Sequence, residues 1–112
     1  MLPRKHRLTQ EKEVRRVLRE GRAVVTNLLT FKAAKGFAPT TRVAVVVSTK
    51  VDKRSTKRNL IKRRIRSVFA KLVPSIQIPL DIVVIAKNEA LDREQAAFQA
   101  AIEYCLKKLG LV

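Results

Sequence analysis

An α+β sandwich, one small sheet packed by helices, is the architecture predicted for this chain of 112 residues. Three observations predict it. The length suits a single compact domain spanning 1–112. Three segments repeat apolar residues at helical spacing, and three short segments rich in β-branched residues lie between them in the order α-β-β-α-β-α.

The first helix covers Gln10 to Glu20. Thr9 is placed to cap it, Glu11 and Glu13 fall in the turn where the helix dipole favours carboxylates, and Val14, Val17 and Leu18 form its apolar stripe. Gly21 stops it. A strand follows, in which Leu29, Phe31 and Ala33 alternate with Thr30, Lys32 and Ala34. Gly36 to Thr41, with Pro39, forms a turn. Val43 to Ser48 carries β-branched residues toward both faces, which predicts a central, covered strand.

Ser55 or Thr56 caps the second helix, whose apolar members Ile61, Ile65, Val68, Phe69 and Leu72 recur until Val73 and Pro74 end it. Pro74 to Pro79 connects to a third strand, Leu80 to Ala86. Asp92 and Gln95 form a capping pair for the last helix. That helix lines Ala97, Phe98, Ala101, Ile102, Cys105, Leu106 and Leu109 along one stripe, and Gly110 closes it.

Composition narrows the function. The formal charge is +16, a self-repulsion that a polyanion would relieve, so a nucleic acid is the expected partner. The surplus is concentrated: residues 50–71 hold ten basic side chains and one acidic, enough to displace several counterions from a phosphate backbone. Residues 72–112 are nearly neutral and serve as scaffold, and residues 1–8 form a mobile basic arm. The apolar runs are too short to span a membrane of about 30 Å, and no signal-peptide core precedes the domain. A cytoplasmic, membrane-free location is the expectation.

Catalytic and metal-binding constellations are not recognisable. His6 and Cys105 stand alone, outside spacings such as CxxC or HExxH, and Asp52, Asp81, Glu89 and Asp92 make no evident acid-base pair. His6, set among Arg4, Lys5 and Arg7, is expected on the surface. Cys105 is expected in the core. Phe69 and Phe98 fit core stripes, whereas Phe31 is open to packing or to a ligand. No aromatic run of the kind that stacks bases on a sheet is present.

On a wheel centred at Ile65, the apolar residues of the second helix fall within about 60° of the core direction. Lys62, Arg66, Asn59 and Arg63 fan from about 60° to about 160° on one flank. No acidic residue lies between Lys53 and Lys71 to make i,i+4 pairs. A solvated face normally mixes signs, and this one is cationic and rich in arginine, whose fork suits phosphate. Leu60 lies off the core stripe among these polar neighbours.

The run Lys57-Arg58-Asn59-Leu60-Ile61-Lys62-Arg63-Arg64-Ile65-Arg66, followed by Val68-Phe69, resembles the RNR signature of the bacterial ribonuclease P protein component. Arg7-Leu8, Val17-Leu18-Arg19-Glu20-Gly21, Arg42-Val43, Val47-Ser48 and Asp81 to Lys87 extend the similarity over almost the whole chain. The resemblance implies a ribosomal protein S5 domain 2-like fold, with a left-handed crossover through the basic helix against the usual right-handed rule. It also implies a protein subunit whose partners are the ribonuclease P RNA and precursor tRNA, with no DNA. The RNA, holding Mg²⁺, would cleave the 5′ leader, and the protein would supply neither catalytic residues nor metal ligands.

Carried over by position, Arg58, Asn59, Lys62, Arg63 and Arg66 would lie against the catalytic RNA, with Arg64, Lys57 and Lys50 beside them. Val14, Leu18, Thr30 and Lys32 would line a cleft between the first helix and the sheet that takes the single-stranded leader. Some positions depart from the family: Leu60 replaces the second arginine of the signature, Ala44 a glycine, Thr49 a lysine and Val14 an aromatic. Missing ring faces would lower leader stacking, worth about 1–3 kcal/mol per base. A structural protein of ribosomal type, binding rRNA, is the alternative reading. A helix-turn-helix DNA binder lacks a helix before the basic one, and an autonomous nuclease would have to cleave without RNA.

Overall fold

A computed structural model of the chain describes residues 2–111; Met1, the first residue of the expected arm, and Val112 lie outside them. Its elements are α1 (Glu11–Glu20), β1 (Arg22–Val25), β2 (Leu29–Lys35), β3 (Arg42–Val46), α2 (Ser55–Leu72), β4 (Leu80–Ala86) and α3 (Gln95–Lys108), with single 3-10 turns at Arg4–His6, Val73–Ser75 and Asn88–Ala90. The α+β sandwich is as predicted, with one more strand. The strand β1 pairs antiparallel with β2 through a tight turn in which the Thr26 hydroxyl accepts the Leu28 and Leu29 N–H groups.

The four strands lie in the order β1-β2-β4-β3, with β2 antiparallel and β3 parallel to β4. Strand β4 is central. It is buried along nearly its whole length, as its continuous apolar run requires. Strand β3, expected at the centre, is instead the edge. Only its Val43 and Val45 face is buried, while Arg42 and Ala44 are half-buried and Val46 is exposed on the other, because a β-branched run reports neither cover on both faces nor how many strands pair with it.

That edge is not left open. The Leu8 N–H donates to Val43 O at 2.8 Å and Arg7 bridges Val43 in parallel, so the N-terminal segment protects the outer side of β3. Leu2 is fully buried in the main core, and His6 Nδ1 lies 2.8 Å from Thr41 O. Residues 2–8, expected as a free arm, are therefore docked. Basic composition concealed the anchoring of Leu2 and Leu8.

Helices α2 and α3 cover one face of the sheet. Ile61, Ile65, Val68 and Phe69 of α2 and Phe98, Ile102, Cys105 and Leu106 of α3 close over Leu29, Phe31, Val43, Val45, Ile82 and Val84. Phe31 belongs to this core, its ring stacked on Phe69 with centroids 6.5 Å apart. Burying such a side chain contributes about 1.5–3 kcal/mol. Leu60 is half-buried and joins neither apolar cluster. On the opposite face α1 presses Val17, with Val14 and Leu18 beside it, onto Val83, Ala34, Ala44 and Ile85.

The helix ends differ from the sequence reading. Gln10, Arg54 and Glu94 occupy the N-cap positions, and none supplies a side-chain cap, so Thr9, Ser55, Thr56 and the Asp92–Gln95 pair do not cap. Asp52 instead accepts the Arg54 N–H at 2.7 Å and turns the chain into α2. Asp92 adopts a left-handed φ of 61°. Gly110, at φ 70°, closes α3 as expected, with Leu111 N–H donating to Leu106 O at 2.8 Å. Gly21 ends α1 at φ −68°, an angle open to any residue. Glycine is required there because a Cβ would stand 2.5 Å from Val17 O.

Candidate nucleic-acid interface

The cations of α2 separate by what they touch. Arg58, near the core side of the wheel, donates through Nη1 to Asp52 O at 3.0 Å and Lys53 O at 2.8 Å, bracing the loop that enters the helix. On the flank toward α3, Lys57 pairs with the Asp92 carboxylate at 3.2 Å and Arg64 donates to Arg93 O at 2.6 Å. The opposite flank carries Asn59, Lys62, Arg63 and Arg66, whose side chains make no hydrogen bond among the described residues. Asn59 and Arg63 are exposed; Lys62 and Arg66 are half-buried. Lys50 is exposed in the turn before the helix, where its N–H donates to the Ser48 hydroxyl. The eight expected contacts are thus divided among the two flanks of α2, its core side and the entry loop, and three of them are already engaged within the protein.

Burial, and then the nearby Arg7, lower the pKa of Arg66 from its ordinary value. Arg7 is thus close enough for its positive charge to act on Arg66. Arg7, whose Nε also donates to Leu2 O at 3.1 Å, is a residue the sequence reading did not assign to the surface. Its signal was present, since Arg7-Leu8 stood out in the sequence, but its distance from the basic helix along the chain hid their proximity. At the loop, the Arg54 guanidinium holds the Asp52 carboxyl down to about 2.

The four residues expected in the cleft share the α1 face of the sheet. Val14 and Leu18 are half-buried against it, and Lys32 donates from Nζ to Leu18 O at 2.8 Å, placing its charge at the negative end of α1. Thr30 lies farther along, beyond the end of that contact. Strand register puts Val25, Thr30, Ile85 and Val46 in one row across all four strands. Val25 and Val46 are exposed and the middle two half-buried, so a shallow apolar trough runs beside α1. Period-two alternation could have found these residues once β1 was recognised as a strand.

Among the described residues no three His, Cys, Asp or Glu side chains gather as metal ligands, and no helix is long and apolar enough to cross a membrane. Cys105 is buried, and burial pushes its thiol up to about 11.

Comparison with known proteins bears on the family and the fold. The family model described as Ribonuclease P matches residues 2–110. A ribonuclease P protein component of Clostridium botulinum strain Langeland is 32% identical over 109 residues, covering 96% of this chain and 97% of the relative. Its counterpart from a Picosynechococcus species is 32% identical over 97 residues, covering 87% and 84%. The solved structure of the Staphylococcus aureus RNase P protein superposes with a TM-score of 0.82 at 27% identity, covering 95% of this chain and 96% of that one.

Proposed function

The chain belongs to the ribonuclease P protein family, and from that premise we propose that its α2 flank grips the RNA subunit while the trough beside α1 holds the leader of precursor tRNA. The observation that carries the reading is the division of α2. One side is anchored by Ile61, Ile65, Val68 and Phe69, and the flank bearing Lys62, Arg63 and Arg66 meets no carboxylate among the described residues. Such a flank lowers its own repulsion by exchanging counterions for phosphates. Asn59 and Lys50 extend the same surface, while Arg58, Arg64 and Lys57 shape it from behind and from the α3 side.

In the trough, Val14 and Leu18 offer aliphatic walls to a single strand, and Thr30 offers a hydroxyl. Lys32, held on Leu18 O, adds positive potential rather than a free ammonium. The reaction itself would be the RNA's. The side chains described here gather no metal-ligating set, so they do not fit a Mg²⁺ site, and Mg²⁺ in this reading belongs to the RNA. The protein binds and orients substrate, which raises the rate by keeping the leader in register with the ribozyme.

Reconstitution tests the reading. The protein, added to the cognate ribonuclease P RNA and a precursor tRNA at limiting Mg²⁺, should stimulate removal of the 5′ leader, and the protein without RNA should leave the precursor intact. Absence of stimulation overturns the assignment.

A further inference from the structure

A second cationic surface lies on the other side of α1, away from both the trough and α2. There, α1 and the loop joining β2 to β3 enclose a cavity of about 900 Å³ lined by Lys12, Arg15, Arg16, Arg19, Phe37 and Arg42. Phe37 is 81% exposed, an uncommon position for a phenyl ring, whose removal from water is favourable.

One side of that ring is nonetheless occupied. The Arg16 guanidinium sits 4.6 Å from the ring centroid. Arg16 is itself fixed, donating to Lys35 O at 3.2 Å and to the Asp81 carboxylate at 2.5 Å. Asp81 has no exposed surface and also receives Arg42. A buried anion thus orients an arginine, the arginine orients an aromatic ring, and the ring's other face is left to solvent. On the rim, Glu11 and Glu13 are engaged by Arg15 and Arg42. Lys12 has no carboxylate partner among the described residues, and Arg19 has only Glu20, at 3.8 Å.

We propose that this notch binds an unpaired nucleotide of single-stranded RNA, its base stacked on the free face of Phe37 and its phosphates held by Lys12, Arg15 and Arg19. Charge selects a polyanion, since five cations line the cavity against two engaged carboxylates. The ring selects an exposed base, because every base has a π-face and a duplex hides it. The proposal rests on reading the chain as an RNA-binding protein, but it uses no residue of α2 or of the trough.

The chain contains no tryptophan, so Phe37→Trp places a lone reporter on the platform of the full-length protein. Titration with oligouridylate of about six nucleotides should quench the emission saturably, and a blunt RNA duplex of equal length should not. In the same background Arg16→Ala, which frees the ring, should weaken the quenching by about fivefold or more, the loss of one stacked base. Arg63→Ala should lower affinity for the RNA subunit and leave the signal unchanged. No quenching, or equal quenching by duplex or by polyglutamate, overturns the notch. Quenching that persists while Arg63→Ala leaves RNA-subunit affinity unaltered upholds the notch and removes Arg63 from the interface proposed above.

Discussion

Asp81→Asn keeps the outline of a buried side chain and removes its charge. In the folded protein that carboxylate accepts Arg42 Nε at 3.1 Å, Arg42 Nη2 at 3.0 Å and Arg16 Nη2 at 2.5 Å. Hydrogen bonds to a charged group contribute about 1.5–3 kcal/mol each, but three that share one anion do not add. A better guide is the removal of one member of a buried ion pair, about 3–5 kcal/mol, because the opposite charge stays behind uncompensated. Here the arginine side chains keep 19% and 20% of their exposure, and Glu13 continues to neutralise Arg42. The low end, about 3 kcal/mol, is therefore expected. Urea unfolding followed by far-UV circular dichroism measures it directly, and the melting temperature should fall by about 10 °C or more for a domain of this size. A loss below about 1 kcal/mol, the worth of an exposed pair, would refute the claim that Asp81 organises this side of the fold.

Gly21→Ala should destabilise by about 1–3 kcal/mol in the same urea assay, because its Cβ meets Val17 O at 2.5 Å; an unchanged midpoint would show that α1 yields without cost. Arg63→Ala should lower the salt slope of RNA-subunit binding by about 1 with unaltered stability. Arg58→Ala should reduce stability measurably, since its guanidinium already holds two loop carbonyls; equal slopes and equal stabilities for the two variants would contradict the sorting of α2. Cys105 keeps its proton up to about 11, so at pH 8 the thiolate fraction is about one in a thousand. A thiol reagent at that pH should label the protein only as it unfolds, and rapid labelling in the absence of denaturant would contradict the burial.

Much of this was legible from periodicity. Strand β4 and the stripes of α2 and α3 agree with the sequence reading because each buries a continuous or regularly spaced apolar set, and burial is what pattern reports. The pattern failed where the deciding interaction joins distant residues. Strand β1 has only four residues and one buried side chain, Val24, so its existence depends on pairing with β2. Thr9, Ser55 and Asp92 have the chemistry of caps, yet the chain enters each helix from a direction that leaves them unused. The docking of Leu2 and Leu8 could not be read from eight residues in which three cations separate the two leucines and no apolar period repeats. The basic helix itself was recognisable, whereas the Arg16–Asp81–Arg42 network was not, because no local rule brings α1, β3 and β4 together.

With nine acidic residues against twenty-five basic ones, neutralisation is beyond reach, and the carboxylates are instead placed where they set geometry. Asp52 turns the chain into α2, Asp92 draws Lys57 toward α3, and Asp81 fixes Arg16 and Arg42 beneath the α1 face. The cations that Asp52, Asp81 and Asp92 engage lie at junctions between elements, where their mobility would loosen the fold. On α2, Lys62, Arg63 and Arg66, without an ion pair among the described residues, lie on a flank whose backbone is already held by the core contacts of Ile61, Ile65 and Phe69. Their helix is therefore ordered before any partner arrives, and only side-chain freedom remains to be lost on binding. A phosphate backbone meeting them displaces counterions at a slope of about 0.7 per contact for single strands and about 0.9 for duplex. Three free cations thus account for a slope of about 2–3 from this flank alone. Any larger measured slope must draw on cations beyond this flank, among them Lys50, Lys53, Lys71, Arg7 and the cationic notch around Phe37, so the salt dependence itself separates a protein that uses one surface from one that uses several.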